Sequence, residues 1–414
     1  MSPPIPLIID TDPGVDDLLA ILLALGSPEV SIEAVTLNFG NTTLDYAHSN
    51  VLRLAHALDV ACYDNAIENP VLVDRIKNGM NGRPIPVGLG ASKPLGGRLF
   101  TASYFHGRDG MSGVSFMEGD PYPESKTSKL FHTSPSPLSA ADLILDILRK
   151  HEPHTVRIAA VAPLTNLALA YQKDPVTFRR VGMISIMGGA IDVPGNTSPT
   201  AEFNFFADPW AAKVLLVDSY YQGTPLPIHL FPLDTTTVHT VPYSKLVLDE
   251  THSLYQKSYL VRLISLFLRK PRAVTNSHAP HDKPFDPSKY DLFEAHDPLA
   301  VAHAIFGSDT ERWGANPRQF LIETEGQLTR GFCVVDRRDL GKDYTGRFKT
   351  DVASVQGSAN EVGSSQGTSS QETLDDESHL SEPVPTISVI HKTPGSLWFA
   401  NMMLGRIGMG PVLE

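Results

Sequence analysis

Four carboxylates, Asp10, Asp12, Asp16 and Asp17, fall within eight residues in the run Ile8-Ile9-Asp10-Thr11-Asp12-Pro13-Gly14-Val15-Asp16-Asp17. The run leaves an apolar strand, and in an extended segment Asp10 and Asp12 point to the same side. Pro13-Gly14 turns the chain, so that Asp16 and Asp17 open the next helix, where the macrodipole favours negative charge. Acids this close repel one another unless a positive charge sits among them. Oxygen donors without His or Cys select a hard cation, calcium before magnesium. An EF-hand is excluded, because Pro13 and Gly14 break its ligand register and Ile21 stands where its closing Glu is required. Taken singly, Asp16 reads as an ordinary helix N-cap and the others as solvated loop acids. Their density after a buried strand argues against that.

The elements that must position these acids are legible from apolar periodicity. PLIID, IEAVTL, VRIAAVA and MISIMGG read as short buried strands, and DDLLAILLALG, LDYAHSNVLRLAHAL, LTNLALAY and DPWAAKVLL as the helices between them. That alternation predicts a single α/β domain over 1–414, with a central, mostly parallel sheet covered by helices. Ligands of such sheets bind beyond the strand C-termini, which is where the acid cluster falls. Residues 64–84 and 118–137, rich in Pro, Gly, Asn and Ser, read as surface inserts. The Ser, Gln, Gly and acid-rich stretch near 351–385 is expected to be a disordered loop. It is internal, because ISVIHK and PGSLWFANMMLGRIG after it read as a last strand and helix.

Composition narrows the class. With 414 residues, 42% of them hydrophobic, the chain can bury a large core. A net charge of -12 without a dense Lys/Arg cluster disfavours nucleic acid and anionic membranes as partners and suits a small-molecule ligand. Two distant cysteines, Cys62 and Cys333, indicate neither a disulfide framework nor a cysteine zinc site. The opening residues lack the basic and apolar regions of a signal peptide, and no run has the length of a membrane span. A cytoplasmic enzyme is the expectation.

The DTDPGVDD run resembles the N-terminal hallmark of the inosine-uridine-preferring nucleoside hydrolases. Further motifs follow in that family's order: FGNTTL around Asn41, HGRDGM at His106, VAPLTNLALA at Asn166, MGGAIDVPGNTSPTAEFNFFADPWAA from Met187, HDPLA at His296 and VVDRR at Asp336. The resemblance spans residues 7 to about 340, the two inserts being departures from it. An Asp-x-Asp pair after the first strand also opens haloacid-dehalogenase-like phosphatases, which are magnesium-dependent, but the later motifs do not fit them. A non-catalytic nucleoside-binding protein would keep a ribose grip and lose base or metal ligands.

The resemblance implies a Ca2+-dependent ribohydrolase that cuts the N-glycosidic bond of ribonucleosides of the uridine and inosine type. It implies calcium ligands at Asp12, Asp17, Asp297 and the backbone carbonyl of Val161, where the family usually has Thr. Asp10 then supports the metal site and Asp12 acts as general base toward water. Asp16, Asn41, Asn196, Glu202 and Asn204 match the family's ribose-binding positions, and Met187 packs under the sugar. Such a grip strengthens as charge develops at the anomeric carbon. His296 stands where a histidine can protonate or hydrogen-bond the departing base. Locally, HDPLA also reads as a helix start, with Asp297 as N-cap and Pro298 at the first helical position. His106 resembles a base-side residue, with a purely structural role left open. A homodimer or homotetramer is implied by the resemblance alone. Asp208-Pro209 reads as another N-cap, Asn166 as a buried structural polar group, and Phe203, Phe205 and Phe206 as core and pocket wall.

Overall fold

Ile5–Thr11 forms strand β1 of the computed structural model, which describes residues 3–63, 65–337 and 384–410. Five strands follow: β2 (Val30–Leu37), β3 (Val87–Leu89), β4 (Arg157–Ala160), β5 (Met183–Met187) and β6 (Ile228–Phe231). With β7 (Gly314–Gln319) and β8 (Thr386–Lys392) they make one eight-stranded sheet, ordered β3-β2-β1-β4-β5-β6-β8-β7. β8 pairs parallel to β6 and antiparallel to β7, which leaves β7 the one antiparallel strand of an otherwise parallel sheet. The fold is thus a single α/β unit with a mostly parallel sheet, as the alternation predicts, and ISVIHK supplies its penultimate strand.

Side-chain alternation in β1 divides the core into two layers. Leu7 and Ile9 join one cluster with helix α1 (Val15–Leu25) and the helices His296–Phe306 and Ser396–Ile407. Ile8 joins the other, with Ala140–Lys150 and Thr165–Lys173. Every residue of α1 is buried, as expected of a helix apolar on all sides. Each of its leucines contributes about 1.5–3 kcal/mol by leaving water. The acids at its start are therefore anchored to one of the least mobile parts of the molecule.

The insert at 64–84 is more than a surface excursion. Pro70–Asn78 forms helix α3, with Pro70 in its first turn and the Asn69 side chain accepting from Val71 N at 3.0 Å. Buried Arg75 donates to the carbonyls of Ala24, Leu25 and Val30, so the insert stitches the end of α1 to β2. Its Asn and Gly density masks a helix whose apolar residues are few. The 118–137 insert has no regular helix or strand, in keeping with its composition. The stretch near 351–385 lies outside the described residues, apart from Val384 and Pro385 leading into β8.

Candidate active site

The chain segments leaving β1, β2, β4 and β5 converge at the C-terminal edge of the sheet, and Asp17 is the best-tethered acid among them. Its carboxylate accepts from Thr11 Oγ1 (2.5 Å), Asn41 Nδ2 (2.7 Å), Gly14 N (3.0 Å) and Asp12 N (3.2 Å). The Gly14 bond closes the first turn of α1, whose cap residue is Gly14, so Asp16 and Asp17 sit inside the helix. Asp12 Oδ2 accepts from Asn41 N at 2.6 Å, while its Oδ1 is buried without a hydrogen-bond partner. Asp10 Oδ1 accepts from Thr36 Oγ1 (2.6 Å) and Asn166 Nδ2 (2.8 Å), leaving Oδ2 without one. Asn166 also bonds Leu37 O and Ala91 N, the buried structural role read for it.

Asp297 arrives from far along the chain. Its helix begins at His296 with Ala295 as cap, so Asp297 is not the N-cap and Pro298 is the third helical residue rather than the first. A capping carboxylate is consumed by backbone N–H groups, whereas here one oxygen each of Asp16, Asp17 and Asp297 lies within 4.8 Å of the others. Asp12 is outside that trio but within electrostatic reach of all three.

These acids cannot all be ionised unaided. Burial first, then the charges of Asp17 and Asp16, drives Asp12 well above the carboxylate range against the pull of Asn41 N–H. Burial and the other three acids do the same to Asp297. Burial lifts Asp10 to about 7 and, joined by the Asp17 charge, Asp16 to about 7. A divalent cation removes the same repulsion without protons. The unpartnered oxygens of Asp10, Asp12 and Asp16, all in an oxygen-only donor set, fit such an ion.

The expected sugar-side residues divide by what already occupies them. Val161 follows β4, and its carbonyl receives Asn204 Nδ2 at 3.4 Å; the same amide donates to Met187 O at 3.2 Å. Asn204 thereby ties the end of β4 to the end of β5. Glu202 caps Phe203–Ala207, accepting from Asn204 N (2.6 Å), Gly189 N (2.8 Å) and Phe205 N (3.1 Å). Asn196 is exposed, with Oδ1 accepting from Phe203 N at 3.0 Å. Asn41 spends its amide on Asp17 and acts as a clamp between two acids. Asp208 caps Pro209–Lys213 as read, and Phe205 is fully buried.

Both histidines face the cluster. His106 Nδ1 accepts from Val15 N at 3.2 Å and lies 3.9 Å from Asp16 Oδ1. Burial, with Lys270 and His296 nearby, holds its pKa down at about 3, so it is a neutral ring with its proton on Nε2. His296 Nδ1 meets Thr236 Oγ1 at 2.7 Å, and Nε2 lies 3.3 Å from Glu294 Oε2. Burial pulls its pKa down, but Glu294, Asp16 and Glu202 together prevail and raise it. Thr236, Glu294 and Lys270, whose Nζ donates to Ser103 O at 2.6 Å, are positioning residues that sequence reasoning missed. Only Glu294 had a visible signal, two residues before His296; Thr236 and Lys270 lie in the motif-free span from 235 to 281.

Gly40 gives a direct test of how closely the acids are fitted. A Cβ there would overlap Asp12 Oδ2 and crowd Pro163. Gly40→Ala is expected to cut the activity of this site by about 100-fold, the cost of a misplacement of about 1 Å, with the far-UV circular dichroism spectrum unchanged. Activity within threefold of the parent would show that Asp12 tolerates displacement.

An oxygen-only acid cluster that could hold a metal ion, at the C-terminal edge of a parallel sheet with two histidines beside it, is suited to metal-assisted hydrolysis. The profile of the inosine-uridine preferring nucleoside hydrolases matches residues 7–361, and the chain belongs to that family. It is 32% identical to the inosine-uridine preferring nucleoside hydrolase of Leishmania major, over 80% of this chain and 88% of that one. It is 30% identical to a pyrimidine-specific ribonucleoside hydrolase of an Enterobacter species, over 81% and 89%. A solved plant nucleoside hydrolase, 23% identical, shares the fold with a TM-score of 0.66, covering 98% of this chain and 99% of that one. The protein is a ribonucleoside hydrolase that cleaves the N-glycosidic bond, and the phosphatase alternative finds no support. No helix among the described residues is long and apolar enough to cross a membrane.

Proposed function

We propose that the chain hydrolyses uridine- and inosine-type ribonucleosides to ribose and free base, with Asp12 as general base and Ca2+ as the metal. The observation that carries this is Asp12 Oδ1, a buried carboxylate oxygen without a protein partner among the charges of Asp16, Asp17 and Asp297. Asp12, Asp17, Asp297 and the carbonyl of Val161 would hold the ion, with Asp10 supporting from behind. Bound calcium supplies the positive charge that acidifies a water and seats the vicinal ribose hydroxyls.

Asp12 takes the proton of the water that attacks the anomeric carbon, while the base departs from the other face of an oxocarbenium-like ribose. Asp16, Asn41, Asn196, Glu202 and Asn204 hold the sugar hydroxyls. Glu202 gives three acceptor positions to backbone N–H groups and keeps capacity for one hydroxyl. Met187, buried at the end of β5, forms the floor. His296 hydrogen-bonds or protonates the leaving base, supported by its raised pKa and by the Thr236 and Glu294 contacts that fix its ring. His106 lines the base side in its neutral form. The reading extends to one domain over 1–414, a cytoplasmic location and a homodimer or homotetramer, the last testable by light scattering.

Leaving-group assistance separates two substrates. His296→Ala is expected to lower kcat on inosine by about 10²- to 10³-fold, yet change p-nitrophenyl riboside, whose leaving group needs no proton, by less than fivefold. Equal losses on both would remove His296 from that role. Ribose release from uridine, inosine, adenosine and cytidine, with chelator and then with added calcium, tests the whole reading. Free ribose from none of them would overturn it.

A further inference from the structure

A second hollow lies away from the acid cluster. About 970 Å³ in volume, it lies between the two inserts, where the C-terminal ends of α2 (Leu44–Tyr63) and α3 meet the 126–133 loop. Two of its walls therefore come from the inserts, and the end of α2 supplies the third, with Asp59 and Tyr63.

The charge of its lining runs against that of the molecule. Lys77, Lys126, Lys129 and His132 line the cavity, with Asp59 the one acid. Four lysines elsewhere sit against carboxylates, Lys150–Asp146, Lys173–Asp142, Lys213–Asp218 and Lys289–Asp286. Lys77, Lys126 and Lys129 have no ion pair among the described residues, although the chain carries 46 acids to 34 Lys and Arg. Three unpaired ammonium groups around one hollow in an acidic protein make a focused positive potential, suited to an anion.

The cavity wall is held in shape. Ser128 Oγ accepts from Leu130 N (3.1 Å) and Phe131 N (3.3 Å), Ile85 N donates to Leu130 O (2.7 Å), and His132 N donates to Ile85 O (3.0 Å). Lys129 and His132 thus project from a loop pinned to the sheet side of the molecule. α3 is pinned in turn by Arg75. At the rim stands Tyr63, 88% exposed, an aromatic face of the kind on which a nucleobase stacks. Asp59, half-buried in the same lining, adds an acceptor for hydroxyl groups, and burial holds its carboxyl up at about 6.

We propose that this cavity binds a nucleoside diphosphate, its phosphates among Lys77, Lys126 and Lys129 and its base against Tyr63. A polyphosphate alone answers the lysines but leaves Tyr63 and Asp59 unused, so the ring and sugar hydroxyls belong to the ligand class. The site goes beyond the hydrolase reading and does not depend on it.

Titration calorimetry of the full chain at 150 mM salt with ADP and with pyrophosphate tests this. ADP is expected to bind at one site with a Kd below 1 mM, and pyrophosphate at least tenfold more weakly. Lys126→Glu/Lys129→Glu is expected to weaken ADP at least tenfold, whereas Lys289→Glu, on a distant surface, leaves it unchanged. Tyr63→Ala should weaken ADP and spare pyrophosphate. Ribose release without nucleotide should be the same in all three variants, which keeps this test apart from the ribohydrolase reading. Absence of ADP binding, equal binding of pyrophosphate, or ADP binding untouched by the double charge reversal would each overturn the proposal.

Discussion

Asp12→Asn is expected to lower kcat for ribose release by at least about 10³-fold while the protein stays folded. The substitution keeps volume and shape. Its amide oxygen can still accept from Asn41 N, as Asp12 Oδ2 does at 2.6 Å. That orientation places an NH2 donor at the position of Oδ1, the buried oxygen without a partner, and a donor cannot take a proton from water. One buried acid is also removed from a crowded cluster, so thermal stability should hold or rise in the metal-free protein. The assay is kcat at saturating inosine and calcium, paired with a thermal melt, so that weakened metal affinity is not mistaken for a lost base. Turnover within tenfold of the parent would remove Asp12 from that role.

The second large effect is on metal removal, and its sign depends on pH. In the metal-free protein burial holds Asp10 and Asp16 at about 7, against an ordinary value near 3.8. A carboxyl raised in the folded state binds its proton more tightly there than in the unfolded chain. Its contribution is fully present below about pH 4 and is lost as pH rises through about 7. For Asp10 alone the difference is at most about 4 kcal/mol. The chelated protein should therefore melt at a lower temperature at pH 8 than at pH 5. Calcium reverses the order, because it competes with those protons and binds better as they leave; at a hundredfold excess over its Kd it adds about 2.7 kcal/mol. Chelation should also abolish ribose release, and calcium should restore it. Scanning calorimetry at the two pH values, with chelator and with calcium, reads both signs. A chelated protein more stable at pH 8, or a melting temperature indifferent to calcium, would contradict an ion among these acids.

The large cavity between the inserts carries a general point about where new chemistry enters an old scaffold. The acid cluster is built on β1 and α1, where every residue of the helix is buried and little can change. The inserts lie outside the sheet: Leu72, Ile76, Met80, Tyr122, Leu130 and Phe131 anchor them to the core, while Lys77, Lys126 and Lys129 stay exposed. Charge can gather there without disturbing the sheet.

By itself the sequence determined the strand and helix alternation, because burial against a sheet imposes a periodicity that each segment carries locally. It also placed the metal-suited acids: Asp10, Asp12, Asp16 and Asp17 are neighbours in the chain, and no fold could separate them far. The later motifs located His296 and Asp297. Which oxygens stay available was decided only in three dimensions. Asp17 is spent on four donors and Asn41 on two acids, because the segments leaving β1 and β2 cross there. Asp297 is released from capping because its helix starts one residue before it, at His296, with Ala295 as the cap. Thr236 and Glu294 meet at His296, and two inserts far apart in sequence line one open cavity with the end of α2. Hydrophobic patterning is a property of neighbours in the chain, whereas a hydrogen-bond partner is a property of neighbours in space.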